Sequence, residues 1–292
     1  MAHKIIYFGN EQLAQGIKAK TPIFDALIEA GYEISALILP NGHTRKPFEV
    51  AKVAEKHQIP VYFTKNNAEI LEVIQKHKPE IGVLAAFGKI IKDEVIEAFP
   101  YGILNIHPSL LPKYRGTTPI ESALLNNDSE TGVSVMRLAH DMDAGNILAQ
   151  TTVQITPETT KQSLYESLSN FGAKMLVEVL PDALEGKAKE DAQDHSQATF
   201  TKPLDKSMSQ LDPTNKTALE LSREVIAFAG FPKSKYQFLD IPCSVTQASI
   251  ADQAQTELDL LCKDGKYLII ERLIPENSKE MDAKSFLNGR KK

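Results

Sequence analysis

Ile81-Gly82-Val83-Leu84-Ala85-Ala86-Phe87 is the most uniformly apolar run in the first half of the chain. It shows no alternation of apolar with polar positions, so a strand here is buried on both faces. Runs of the same kind precede it. Ile5–Phe8 reads as a buried strand, followed by Gly9-Asn10 and a helical stretch ending near Gly31. Ile34–Leu39 is closed by Pro40-Asn41-Gly42, and Val61–Phe63 is introduced by Pro60. Phe48–His57 and Ala68–His77 carry helical periodicity, the second stopped by Pro79. Buried strands alternating with helices predict an α/β architecture: a doubly wound, mostly parallel, Rossmann-like sheet. The functional crevice of such a sheet lies beyond the carboxyl ends of its strands.

Further along, Ser163, Leu164, Leu168, Phe171, Met175, Leu176, Val179 and Leu180 trace one long helix that should pack across the sheet. The polar, aperiodic stretch that follows reads as an interdomain linker. The expected organisation is a catalytic domain over 1–188, a linker over 189–206 and a second domain over 207–292. In that second domain one helix, Thr217–Phe228, precedes short β segments. Asp264-Gly265 between two apolar runs is a hairpin signal, because glycine there tolerates positive φ. A small β-barrel of the OB-like kind is the expected product.

The bulk numbers fit two soluble domains. The chain has 292 residues, 42% hydrophobic and 24% charged, with a formal net charge of −5. That total excludes a uniformly basic nucleic-acid binder, though not a local basic surface. The two cysteines, Cys243 and Cys262, form neither a disulfide framework nor a CxxC metal pair. No apolar run is long enough to span a bilayer, and the N-terminus lacks the character of a signal or transit peptide. A cytoplasmic protein with no membrane partner is expected.

The chemistry concentrates in Asn105-Ile106-His107-Pro108-Ser109-Leu110-Leu111-Pro112-Lys113-Tyr114-Arg115-Gly116. Gly102–His107 reads as a fifth strand, in which residues i and i+2 share a face roughly 6.5–7 Å apart. Asn105 and His107 therefore point the same way where such sheets bind ligands, and Pro108 and Pro112 stiffen the loop behind them. A buried histidine with a backbone partner and an Asn that merely forms a turn remain open on spacing alone. The second stretch, Leu138–Leu148, holds Asp143 beside Ala144-Gly145. A carboxylate there could orient an imidazole, or simply make the turn.

Together these two stretches resemble the folate-dependent formyltransferases: an Asn-x-His strand, Ser-Leu-Leu-Pro, an aromatic-Arg-Gly, then an Asp-x-Gly turn. Ile6-Tyr7-Phe8-Gly9, Leu84–Ile91, Glu130-Thr131-Gly132-Val133 and the ending Lys279–Gly289 are similar to the methionyl-tRNA branch of that superfamily. The resemblance implies Asn105, His107 and Asp143 as the catalytic trio. It places Ser109, Leu110, Leu111 and Pro112 along the tetrahydrofolate site, with Ala85–Gly88 helping to form the pterin pocket. The donor it implies is 10-formyltetrahydrofolate, and the acceptor is initiator methionyl-tRNA, formylated by a monomer for translation initiation. No metal is implied, since one His and scattered carboxylates lack metal-site spacing.

Two features separate this chain from the tRNA branch's usual pattern. The loop Pro40–Pro47 is short and offers Arg45 and Lys46 to phosphate. Pro108 stands where the tRNA enzymes commonly carry Ala, as in formyltransferases acting on sugar nucleotides or purine precursors. A sugar-nucleotide N-formyltransferase using the same donor is the alternative. In the second domain acidic and basic residues balance, and Lys233, Lys235 and the Arg290-Lys291-Lys292 tail are the candidates for phosphate contact.

Overall fold

The computed structural model describes residues 3–41 and 48–289. Arg45, Lys46 and the Arg290–Lys292 tail lie outside the described residues. The first half runs β1 (Lys4–Phe8), α1 (Pro22–Glu29), β2 (Glu33–Pro40), α2 (Glu49–Lys56), β3 (Val61–Thr64), α3 (Asn67–His77), β4 (Ile81–Leu84), α4 (Asp93–Ile96) and β5 (Ile103–His107). After these come α5 (Pro119–Leu125), β6 (Glu130–Arg137), β7 (Ile147–Gln154) and α6 (Lys161–Leu184). The seven strands form one sheet in the order β3-β2-β1-β4-β5-β6-β7. The first five are parallel; β6 and β7 are antiparallel additions at the edge.

Alternation along the strands explains both cores. Ile5, Tyr7, Leu37, Val83, Leu104 and Ile106 face α1, α5 and α6, while Ile6, Phe8, Ile38, Leu84 and Ile103 face α3 and α4. Each such side chain contributes about 1.5–3 kcal/mol through its removal from water. Asn105 and His107 share the face of Ile103, so the strand's period turns them toward the α4 side. The helix on that side, α4, is four residues long.

Two elements are shorter than their apolar runs. β4 ends at Leu84 because Ala86 adopts φ +54, a left-handed turn that no strand continues. Helix α1 begins only at Pro22: Glu11 (φ +57) and Gly16 (φ +71) break the apolar stretch before it. Glu11 serves α1 instead. Its buried carboxylate accepts from the N–H groups of Ile23 at 3.0 Å and Phe24 at 2.8 Å, in the helix's first turn. Burial nevertheless pushes its carboxyl up to about 8, so the proton binds more tightly in the folded chain. That stability is fully present below the ordinary carboxylate range and is lost as pH rises through about 8. Urea midpoints should therefore fall across that window, and Glu11→Gln should flatten the decline. An unchanged slope in Glu11→Gln would assign it to other groups.

The second half contains α7 (Ala218–Ala227), β8 (Ser234–Phe238), β9 (Ile241–Ala251), β10 (Leu260–Leu261), β11 (Tyr267–Pro275), β12 (Met281–Asp282) and α8 (Ala283–Asn288). The Asp264-Gly265 hairpin is present: Leu261 pairs with Tyr267, and Gly265 has φ +78. The sheet is antiparallel in the order β10-β11-β9-β8, with β12 on β11. Among the described residues no strand pairing joins β8 to β10, and the sheet curls as an antiparallel half-barrel around its own core of Leu221, Val245, Leu268 and Phe286.

The halves meet at two glycines. A Cβ on Gly230 would stand 2.0 Å from the carbonyl oxygen of Gly16, and both residues have positive φ, so only glycine permits this approach. The stretch 189–206, expected as a linker, touches elements of the first half of the chain. Asp191 exchanges backbone hydrogen bonds with Ile147, and Phe200 bridges to Arg115.

Candidate active site

Asn105 and His107 lie at the carboxyl end of β5, 6% and 4% exposed. Across the ladder they face Met136 and Ser134 of β6. The loop after β6 doubles back over this face and brings Asp143 to them. Asp143 Oδ1 accepts from Asn105 Nδ2 at 3.4 Å, and Oδ2 stands 3.6 Å from His107 Nδ1. Oδ2 also accepts from the backbone N–H of Gly116 at 2.8 Å. One carboxylate therefore gathers Asn105, His107 and the end of the 108–116 loop.

His107 Nε2 stands 2.9 Å from the carbonyl oxygen of Tyr114. A carbonyl only accepts, so Nε2 carries hydrogen there. The other nitrogen then faces Asp143, and a second hydrogen on Nδ1 would point at that carboxylate. Both ring nitrogens thus have an acceptor before them, an arrangement suited to holding and releasing a proton.

The loop itself is stiff. Ser109 Oγ donates to Lys113 O at 2.6 Å, and Ser134 Oγ donates to Ser109 O at 2.7 Å. Gln150 Nε2 reaches both Leu111 O and Ser134 Oγ. Of the four residues expected at the folate site, Ser109 and Leu111 are buried within this scaffold, whereas Leu110 and Pro112 are half-buried. Tyr114, at φ +60, donates its hydroxyl to Asp128 at 2.6 Å, and burial pushes that phenol up to about 12.

Left-handed backbone at non-glycine residues recurs around the site, at Ala86, Tyr114 and Asp143 (φ +51). Each costs of order 1–3 kcal/mol, so surrounding contacts must hold it. Gly145 allows one such hold: a Cβ there would stand 1.9 Å from Arg137 O. Motif reading included Arg115 in the aromatic-Arg-Gly without giving it a role, and it missed Gln193. Both are buried; Arg115 Nε and Nη2 donate to Gln193 Oε1 at 3.2 and 2.6 Å. Gln193 Nε2 donates to Asp143 O at 2.9 Å and Gly145 O at 2.7 Å. A single Gln in a polar stretch carries no periodic signal.

Two loops border the trio, one after β4, the neighbour of β5, and one after β6, which carries Asp143. The loop after β4 supplies Ala85, Ala86 and Phe87, with Ile90 79% exposed; the loop after β6 supplies Met142, 56% exposed. His140 Nδ1 meets Asp93 at 2.7 Å, which ties the second loop to α4 and holds His140 above its ordinary pKa. Among the described residues no three His, Cys, Asp or Glu side chains gather as a metal cluster, and no helix is long and apolar enough to cross a membrane.

Comparison with known proteins gives the family. The formyl transferase family model matches residues 41–180. Methionyl-tRNA formyltransferase of Sulfurihydrogenibium sp. is 32% identical over 99% of this chain and 97% of its own length. The chain belongs to the methionyl-tRNA formyltransferase family. The enzyme of that name from Chloroflexus aggregans is 40% identical over 80% of this chain and 76% of its own. Among solved structures, HypX from Aquifex aeolicus in complex with tetrahydrofolic acid superposes with a TM-score of 0.69 at 16% identity, covering 97% of this chain and 46% of HypX. An N-formyltransferase from Helicobacter canadensis, in complex with folinic acid and dTDP-3-aminofucose, reaches 0.70 at 17%, covering 92% and 99%. At these identities the last two likenesses are of fold.

Proposed function

We propose that this enzyme transfers a formyl group from 10-formyltetrahydrofolate to the free amine of initiator methionyl-tRNA. The observation that carries the reaction is the single carboxylate of Asp143 meeting Asn105, His107 and the Gly116 N–H at once. Full-length kinship to relatives bearing the tRNA enzyme's name supports the acceptor. The donor is a substrate that supplies the formyl carbon. Its flat ring suits the wall of Ala85–Gly88, with Ser109, Leu110, Leu111 and Pro112 along the opposite side. Of these, Leu110 and Pro112 offer surface, while Ser109 and Leu111 shape the loop.

Attack by the amine nitrogen on the formyl carbon puts negative charge on the formyl oxygen. Collapse of that intermediate breaks the bond from carbon to N10, and the folate nitrogen leaves with a proton in place of the one that the amine loses. Asn105 holds one amide hydrogen toward Asp143 and has a second for that oxygen, an interaction worth about 3–4 kcal/mol of barrier in comparable sites. His107, fixed between Tyr114 O and Asp143, supports the same charge through space when its ring carries a proton on both nitrogens. Asp143 orients the ring and helps carry away the proton that the amine loses. The enzyme works in the cytoplasm as a monomer. Residues 1–188 form its catalytic domain, and 207–292 form an OB-like domain that contacts tRNA.

The reading is tested by supplying purified protein with 10-formyltetrahydrofolate and either charged initiator tRNA or an amino-sugar nucleotide. Formylmethionyl-tRNA is the expected product. Transfer to the sugar alone would keep the trio and replace the acceptor. Replacing Arg45 and Lys46 by Ala should raise KM for tRNA and lower the slope of its salt dependence by about 1 for each phosphate left without its cation. Unchanged kinetics would place the tRNA grip elsewhere.

A further inference from the structure

Asp143 cannot hold its own place. Its left-handed backbone is unfavourable for a residue with a side chain, and the loop around it is polar and half-exposed. What holds it comes from 50 residues further along the chain, through the side-chain amide of Gln193. That amide is saturated. Its two hydrogens go to the carbonyls of Asp143 and Gly145, one on each side of Ala144, and its oxygen takes two hydrogens from Arg115. Partners of opposite kind at its two ends fix the amide's orientation. Arg115 in turn precedes Gly116, whose N–H donates to the Asp143 carboxylate. Its backbone is clamped by Thr199 and Thr201, whose strand-like run flanks it. The main chain of Asp143 and the donor to its side chain are therefore set by one buried amide.

We propose that Gln193 is a positioning residue of the active site, acting through Asp143, and that residues 191–201, beyond the 1–188 catalytic domain, work with its site. The inference rests on Asp143 belonging to the catalytic trio. Gln193 touches no reacting atom. It fixes where the Asp143 carboxylate stands relative to His107 and Asn105, and a misplacement of about 1 Å at such a distance costs about 10²-fold in rate.

The isosteric Gln193→Glu is the sharp test. It keeps the shape and the contact with Arg115 but turns an acceptor toward two carbonyl oxygens. The expected result is a kcat lowered by about 10²-fold, with KM for both substrates nearly unchanged. In an Asp143→Ala background the same substitution should cost nothing further, because the group it positions is gone. Full activity in Gln193→Glu, or equal losses in both backgrounds, would overturn the proposal. Full activity in Asp143→Ala alone would overturn the trio, and the proposal with it. Should Gln193→Glu not fold, the pair Arg115→Met with Gln193→Met replaces both partners by apolar groups of similar length. That pair must show the same kcat loss and the same silence behind Asp143→Ala.

Discussion

His107→Ala should lower kcat by about 10²–10⁴-fold while leaving KM for tRNA and folate close to the parent value. The expectation follows from what the ring does. Nε2 is held by Tyr114 O and Nδ1 faces Asp143, so the imidazole is oriented at both ends before any substrate arrives. A group oriented in this way assists the transition state more than the ground state, and its loss appears in kcat. The measurement is the initial rate of formylmethionyl-tRNA formation at saturating substrates, with thermal melting as the control for folding. An active His107→Ala protein would remove the histidine from the chemistry and leave Asn105 as the chief stabiliser of charge. Asn105→Ala should itself cost about 10²–10³-fold, as loss of one donor to a developing oxyanion does.

The largest effect on stability should come from Lys161→Met. Lys161 opens α6 and is buried, with its ammonium 3.7 Å from the equally buried Glu121 of α5. The same ammonium donates to Gln15 O at 2.7 Å and reaches Phe231 O at 3.5 Å, so it ties the two halves of the chain together at the Gly16–Gly230 contact. Glu121 Oε1 accepts from Gln15 N at 2.8 Å. Burial pulls Lys161 down to about 8 and pushes Glu121 up, against the pull of each charge on the other. Removing the lysine alone leaves a buried carboxylate without its cation, which costs about 3–5 kcal/mol. Replacing both, as Lys161→Met with Glu121→Leu, should recover most of that loss, since two apolar groups need no desolvation. Urea unfolding of the two variants decides the matter. A single variant as stable as the parent would mean the pair contributes nothing at this junction.

Much of this architecture is written in local residue order. Strands β1 to β5 are legible because a parallel sheet covered on both faces demands unbroken apolar runs, and Ile5–Phe8 and Ile34–Leu39 supply them. Residue order misleads where apolar side chains serve a loop. Leu13 and Ala14 are buried, yet they precede α1, because Glu11 and Gly16 turn the chain first. Strand period also places Asn105 and His107 on one face, since i and i+2 must share it. The half-barrel is less legible: its segments have β character, but whether the sheet closes depends on pairing between distant strands.

By itself, then, the sequence determined the alternating α/β sheet, the shared face of Asn105 and His107, and the glycine turn beside Asp143. Each is a short-range matter, set by backbone period or by the φ that a residue tolerates. Only the tertiary structure decided that Asp143 reaches both members of that pair, that Lys161 meets Glu121 where the two halves of the chain touch, and that Gln193 closes over the site. Those contacts join residues tens of positions apart. They form because packing the sheet brings their elements together, and a lone polar side chain leaves no periodic trace of the partner it will meet.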